Sequence, residues 1–270
     1  MREPAVAGQF YPAGFHELQE LLREVFMKGP GKIPKLNPSG ERKIVGGIVP
    51  HAGYIFSGHV AAHFYASLAE DGFPETFIVI GPNHHGIGCG VAITTEDFKT
   101  PLGVVKVDKE LAKELVGDVI SDDFSAHKYE HSIEVQLPFL QFIKPDIKFV
   151  PIAMYLQDIS IAQEVAEVIK DAIKDRDVVI IASSDFSHYV PQEVAKSRDM
   201  LAIDKIIKGN VEEFYRSIFK YNVTACGYGP IMVVMLVTKG KATLLKYATS
   251  GDVYPMEDVV GYAAIKFERR

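Results

Sequence analysis

The sequence predicts an α/β protein in which a mixed β-sheet lies between layers of helices, and three observations carry that prediction. Four short apolar runs read as strands: Ile44–Val49 and residues 77–80, 148–153 and 178–182. Segments with apolar residues at helical spacing lie between them, and such alternation builds a sheet covered on both faces. Three of the four runs open onto histidine, in Pro50-His51, in Gly81-Pro82-Asn83-His84-His85 and in Ser183-Ser184-Asp185-Phe186-Ser187-His188. In an open α/β sheet the loops past the strand carboxyl ends gather on one edge, where residues remote in sequence converge on a ligand. The run 148–153 ends in Met154-Tyr155 and is expected to serve the core or a pocket wall.

Residues 15–27 place Phe15, Leu18, Leu22, Val25 and Phe26 at helical spacing, and residues 28–43, rich in Pro, Gly and charge, read as an exposed connection. Further helices are predicted over 57–69, 108–116, 131–143, 159–174, 192–208 and 226–237. Residues 242–248 and 259–267 read as a hairpin or edge pair, which makes the sheet mixed rather than parallel throughout. The 270 residues show no composition break, repeat or low-complexity segment, so one domain over 1–270 is expected.

A hydrophobic content of 47% supports a sizeable core, and a net charge of -6 argues against general binding to nucleic acid or anionic membrane. The longest strongly apolar stretch, 231–237, is too short to span a bilayer. Met1-Arg2-Glu3-Pro4 lacks the layout of a signal peptide, and a cytoplasmic protein without a membrane partner is expected. Cys89 and Cys226 are the only cysteines, so each thiol serves packing or chemistry rather than a disulfide framework.

His51 follows a strand-stopping proline and precedes Gly53, which leaves its imidazole on a rigid strand end; it reads as a ligand or as a hydrogen-bonded loop residue. Paired histidines between glycines are rarely needed for packing, and because adjacent residues point different ways, one of His84 and His85 is expected to bind directly. Asp185 reads as a turn-capping carboxylate or a site group. His188 reads as a general acid or base. Cys226 sits just before an apolar helix, where exposed N–H groups stabilise a thiolate, whereas Cys89 is expected to enter the core. His59 and His63 have the i,i+4 spacing of a chelating pair, but on a helix that must also pack, and partial burial with hydrogen bonds is the preferred reading. His127, Glu130, His131 and Glu134 form a further cluster, in which Glu134 completes a capping box or His131 reaches the pocket. Imidazoles, a carboxylate and a thiol at element ends resemble a transition-metal site more than a catalytic triad. Paired Cys-x-x-Cys units, a His-Glu-x-x-His helix, a P-loop and a dinucleotide fingerprint are all missing. A cysteine hydrolase pairing Cys226 with His188 is the third reading.

Six ordered segments together resemble the Memo family: residues 2–12 (Arg2-Glu3-Pro4 through Tyr11-Pro12), Pro50-His51-Ala52-Gly53-Tyr54, Gly81-Pro82-Asn83-His84-His85, Glu130-His131-Ser132-Ile133-Glu134, Ser183-Ser184-Asp185-Phe186-Ser187-His188 and Ala225-Cys226-Gly227. The resemblance spans nearly the whole chain. It implies the fold of the class III extradiol (LigB-like) dioxygenases, in which two histidines and a glutamate hold iron(II) and another histidine moves protons. On that pattern His51 and His84 match the histidine ligands and His188 the acid/base, with Asp185 as a further ligand or the group orienting His188. His131 and His85 are candidates for contact behind the ligands. Cys226 stands where the glutamate would be, and a softer, oxidisable sulfur ligand shifts the expectation from ring cleavage toward differently tuned iron(II), copper or zinc. The resemblance thus implies a metal-dependent redox enzyme acting on a substrate captured at the metal, or a binding protein that keeps the pocket to recognise a peptide or partner. It also implies association of prokaryotic members with a radical-SAM protein and an AMMECR-type protein.

Overall fold

The computed structural model describes residues 1–269. In chain order its elements are α1 (Phe15–Lys28), β1 (Ile44–Val49), α2 (Tyr54–Asp71), β2 (Thr76–Pro82), β3 (Val91–Ile93), β4 (Phe98–Thr100), β5 (Gly103–Val107), α3 (Lys109–Leu115), β6 (Ser121–Asp122), α4 (Leu137–Ile143), β7 (Lys148–Met154), α5 (Ile159–Ala172), β8 (Val178–Ser183), β9 (His188–Pro191), α6 (Gln192–Ile207), α7 (Val211–Lys220), α8 (Tyr228–Thr238), β10 (Lys241–Thr249) and β11 (Asp258–Glu268). The described strands join in one sheet whose main path is β10-β11-β1-β8-β2-β7-β3-β6, with β5 also on β7 and β9 on β11. The centre β1-β8-β2-β7 is parallel, and β11 and β3 flank it antiparallel.

Every residue of β2 and β8 is buried, which explains why these strands are continuous apolar runs: helices cover both of their faces. α1, α2 and α4 pack together on one side, and α8 with α5 and α7 on the other. Both layers press closely on β1. A side chain at Gly47 would run into the Phe64 ring of α2, and one at Gly46 would meet Thr238 and Val234 of α8, so only glycine lets both helices seat on the strand.

The predicted mixed α/β architecture is found, with three differences. Residues 131–143 are not one helix: a 3-10 turn at Glu134–Gln136 precedes α4, and residues 131–132 are held outside it by hydrogen bonds to Glu130. α2 begins at Tyr54 rather than 57, and Cys226 lies outside α8, in the loop before its Gly227 N-cap. The short strands β3 to β6 and β9 escaped the periodicity reading, since two to five residues carry too few repeats to register, and the ten-residue α7, capped by Asn210, was not among the predicted helices. β10 and β11 form the expected antiparallel pair at one edge of the sheet, with β11 between β10 and β1. In α1 the buried stripe is Leu18, Leu22, Val25 and Phe26, while Phe15 is exposed. No helix among the described residues is long and apolar enough to cross a membrane.

Candidate metal centre

The parallel registers Val49↔Ser183, Ile80↔Ala182 and Pro82↔Met154 align the carboxyl ends of β1, β8, β2 and β7 on one edge. The loops that follow carry His51, Asp185 and His84 there from neighbouring strands. Cys226 arrives from the far side of the chain and is tied down three ways. Its N–H donates to the Asp185 carbonyl at 3.3 Å, the Gly227 N–H donates to Ser184 Oγ at 2.9 Å, and Gln157 Nε2 donates to the Cys226 carbonyl at 2.9 Å. As a result one ligand atom from each of His51, His84 and Cys226 lies within 4.8 Å of the others.

Hydrogen bonding sets the tautomers. Ser183 Oγ donates its only proton to the Ser132 carbonyl at 2.6 Å and accepts from Gln136 Nε2 at 2.8 Å, so its 2.9 Å contact with His51 Nδ1 is one in which the imidazole donates. The lone pair of His51 is therefore on Nε2, 3.2 Å from Cys226 Sγ. His84 Nδ1 donates to Glu130 Oε1 at 2.9 Å, which leaves its Nε2 lone pair free in the same way. Glu130 also accepts the N–H groups of His84, His131 and Ser132. Burial alone would raise its pKa, but these partners outweigh burial and hold the carboxyl well below the usual range. Such a carboxylate behind a ligating imidazole fixes the ring and raises its basicity. Ser132 reaches the site because Gly81 has no side chain: a Cβ there would lie 2.3 Å from Ser132 Oγ.

His131 stacks on His84 with centroids 4.6 Å apart, and His51 stands edge-on to both at 5.1 and 5.4 Å. Burial holds His131 down to about 4, so it is neutral at pH 7. His85 turns away, bonded through Nε2 to the Tyr129 carbonyl. His188 donates from Nδ1 to the Thr224 carbonyl at 2.9 Å, which places a lone pair on its Nε2. Asp185 does not orient it: the Asp185 carboxylate instead accepts the His51 N–H at 2.8 Å, locking the turn that presents His51, and burial pushes its pKa up to about 6.

The expectation for the Cys226 thiol needs correction. Cys226 is not an activated thiolate, because burial and the neighbouring Asp185 charge push its pKa far up despite the adjacent helix start. Its sulfur bonds to His51, not to His188, which leaves the hydrolase pair unformed. Cys89, half-buried in the loop before β3, packs against the core as expected and donates to the Val91 carbonyl. His59 and His63 line a separate cavity, and neither makes the expected ring hydrogen bond to a described residue.

Sequence reasoning missed the N-terminal clamp. Glu134 is no capping residue. Fully buried, it pairs with Arg2, accepts from the Tyr11 hydroxyl and takes the Ala5 N–H at 2.8 Å and the Val6 N–H at 3.1 Å. Arg2 also donates to the carbonyls of His127 and Glu130. The segment thus anchored brings Phe10 edge-on against His131. The signal was present as Arg2 and Glu134, opposite charges in two of the six segments, but sequence distance hides the pairing. His127 itself is buried and held down to about 4.

The α/β sheet thus carries, at the carboxyl edge of its parallel strands, a two-histidine, one-cysteine cluster of the kind that could hold a metal ion. The particular family follows from comparison: a profile described as "Memo-like protein" matches residues 2–266, and the chain belongs to the Memo family. It is 46% identical to a MEMO1 family protein of Ignicoccus hospitalis over 99% of this chain and 98% of that one. Relatives of the same description from Methanopyrus kandleri and Archaeoglobus fulgidus are 46% and 42% identical, each over 99% of both chains. A crystal structure of an uncharacterized protein from Escherichia coli K12 shares the fold, with a TM-score of 0.59 at 14% identity over 83% of this chain and 100% of that one.

Proposed function

We propose that this Memo-family protein is a metal-dependent redox enzyme whose single transition-metal ion is held by His51, His84 and Cys226. The observation that carries the reading is the convergence of their ligand atoms within 4.8 Å. The donor set fits such an ion: two neutral imidazoles present Nε2 lone pairs, and a thiol supplies sulfur on losing its proton. Nitrogen with one thiolate accepts iron(II), copper or zinc, and iron(II) is placed first on the resemblance to the iron-holding dioxygenases. When bound, the metal supplies a Lewis-acidic, one-electron centre. The chain's own residues do the rest. Glu130 and Ser183 hold the two imidazoles in ligand form, Asp185 holds the His51 turn, and His188 moves a proton at Nε2 on a substrate in the cleft. Sulfur in place of the one carboxylate oxygen ligand sets this centre apart from catechol ring-opening chemistry.

Anaerobic purification followed by elemental analysis tests the reading. One metal per chain is expected, lost from His51→Ala, His84→Ala and Cys226→Ser alike, with His188→Gln keeping the metal but losing turnover by roughly 10²–10⁴-fold. Stoichiometric metal in all three ligand variants would overturn the assignment. A loaded protein that consumes no oxygen with any candidate substrate would make it a binding protein instead.

A further inference from the structure

α2, α6, β10 and the end of α1 enclose a second cavity of about 440 Å³, lined by Lys28, His59, His63, Lys196 and Lys246 against Glu193 and Asp252. On a chain of net charge -6, three lysines here face two carboxylates, with two histidines beside them. One of its two carboxylates is already committed, because Asp252 accepts the Thr249 N–H at 2.7 Å and Gln192 Nε2 at 2.8 Å. The cations are not. Among the described residues Lys196 and Lys246 form no ion pair, and Lys28 only reaches Glu24, one turn back on its own helix, at 4.0 Å. His59 and His63 are half-buried side by side, and burial, then the Lys246 ammonium, shift both below the ordinary imidazole pKa. The first turn of α6 adds free N–H groups that no side chain caps. An adjoining groove of about 430 Å³ shares Lys28, His59 and Asp252 and continues over Leu21, Ile55 and Tyr254, the last two exposed.

We infer that this cavity binds a small phosphate monoester, its phosphoryl group against His59, His63, Lys196 and Lys246 and its organic part in the groove of Leu21, Ile55 and Tyr254. A dianion with three acceptor oxygens matches several cationic donors at once, which a monocarboxylate does not. A metal ion is disfavoured by the lysines, and among the described residues the metal-type clusters are all at the other centre. The inference stands independently of the redox reading, since none of these residues belongs to that centre.

Calorimetry on the full, metal-free chain tests it, with inorganic phosphate, monobutyl phosphate and butyrate as probes and imidazole NMR signals as a site readout. Metal-free protein keeps phosphate binding at the other centre from being mistaken for this site. One monobutyl phosphate per chain is expected, bound about tenfold tighter than inorganic phosphate for its buried alkyl carbons. The His59 and His63 ring signals should shift, and butyrate should fail. Lys246→Glu and, separately, Lys196→Glu should weaken both phosphates by about tenfold or more, while Tyr254→Ser should remove only the alkyl preference. Both lysines are exposed, so these folds should survive, as a thermal melt will verify. Absence of saturable phosphate binding, equal affinity in both lysine variants, or equal binding of butyrate would each overturn the inference. So would sedimentation with phosphatidic acid vesicles by a protein that ignores monobutyl phosphate.

Discussion

His51 Nε2 and Cys226 Sγ lie 3.2 Å apart, and because Ser183 takes the Nδ1 proton of the imidazole, the thiol is the donor between them. The centre in its metal-free form is thus a neutral thiol bonded to a neutral imidazole. Burial holds His51 well below its ordinary pKa and pushes Cys226 well above its own, so at pH 7 the proton to be displaced sits on sulfur.

Metal binding should therefore release about one proton per ion, and affinity should rise about tenfold per pH unit across the neutral range, since a single thiol proton competes with the metal. Titration calorimetry in buffers of different ionisation enthalpy reads the proton count. Release of none would show that sulfur stays outside the metal's coordination.

The same burial reverses the reactivity expected from the helix-start position of Cys226. A mild alkylating reagent applied to metal-free protein at pH 7 should label Cys89 before Cys226, because the thiolate fraction of Cys226 is the more strongly suppressed. Peptide mass spectrometry decides the order. Faster labelling of Cys226 would mean that the local helix field outweighs burial.

Glu130→Gln keeps the shape of the side chain but removes the charge behind His84. Metal affinity should fall by about 10–100-fold, the usual cost of losing such a partner. Competition against a chelator of known strength measures it; an unchanged affinity would reduce Glu130 to a backbone cap for residues 130–132.

Removing one partner of the buried Arg2–Glu134 pair leaves an uncompensated charge. Arg2→Met or Glu134→Gln should each cost about 3–5 kcal/mol, and the double variant should cost less than the sum. Urea denaturation provides the values, and limited proteolysis should show cleavage appearing first in residues 1–12.

Asp199 is buried, accepts from Ser187 Oγ at 2.6 Å and Tyr247 OH at 2.8 Å, and has its pKa pushed by burial from 3.8 up to about 6. A carboxyl raised in the folded state contributes stability that is full below 3.8 and lost as the pH rises through about 6. Metal-free wild type should thus lose ~1–2 kcal/mol between pH 4.5 and 7.5 from this group. Asp199→Asn should flatten that slope. An identical pH dependence in both proteins would assign the slope elsewhere.

Much of this molecule was legible along the chain. β1, β2, β7 and β8 announce themselves because strands covered on both faces must be apolar throughout, and the histidines at their ends mark the functional edge because every parallel strand delivers its carboxyl end there. Elements of two to five residues, such as β3 and β9, left no trace, since periodicity needs several repeats. The break at residues 131–136 was equally hidden. It arises from Glu130 capturing backbone N–H groups that a continuing helix would have used.

Residue types and their spacing determined the fold class and the strand ends on which His51, His84 and Asp185 stand, because these follow from patterns local to each element, whereas the choice of His51, His84 and Cys226 as a set came from the resemblance to the Memo family. What those side chains are was decided by tertiary structure alone. Ser183 and Glu130 choose the tautomers of His51 and His84, Arg2 and Glu134 pin the N-terminal segment, and burial turns Cys226 from a presumed thiolate into a thiol. Protonation state depends on which groups stand within a few ångströms and how much water is excluded, and neither quantity is encoded in any one stretch of the chain.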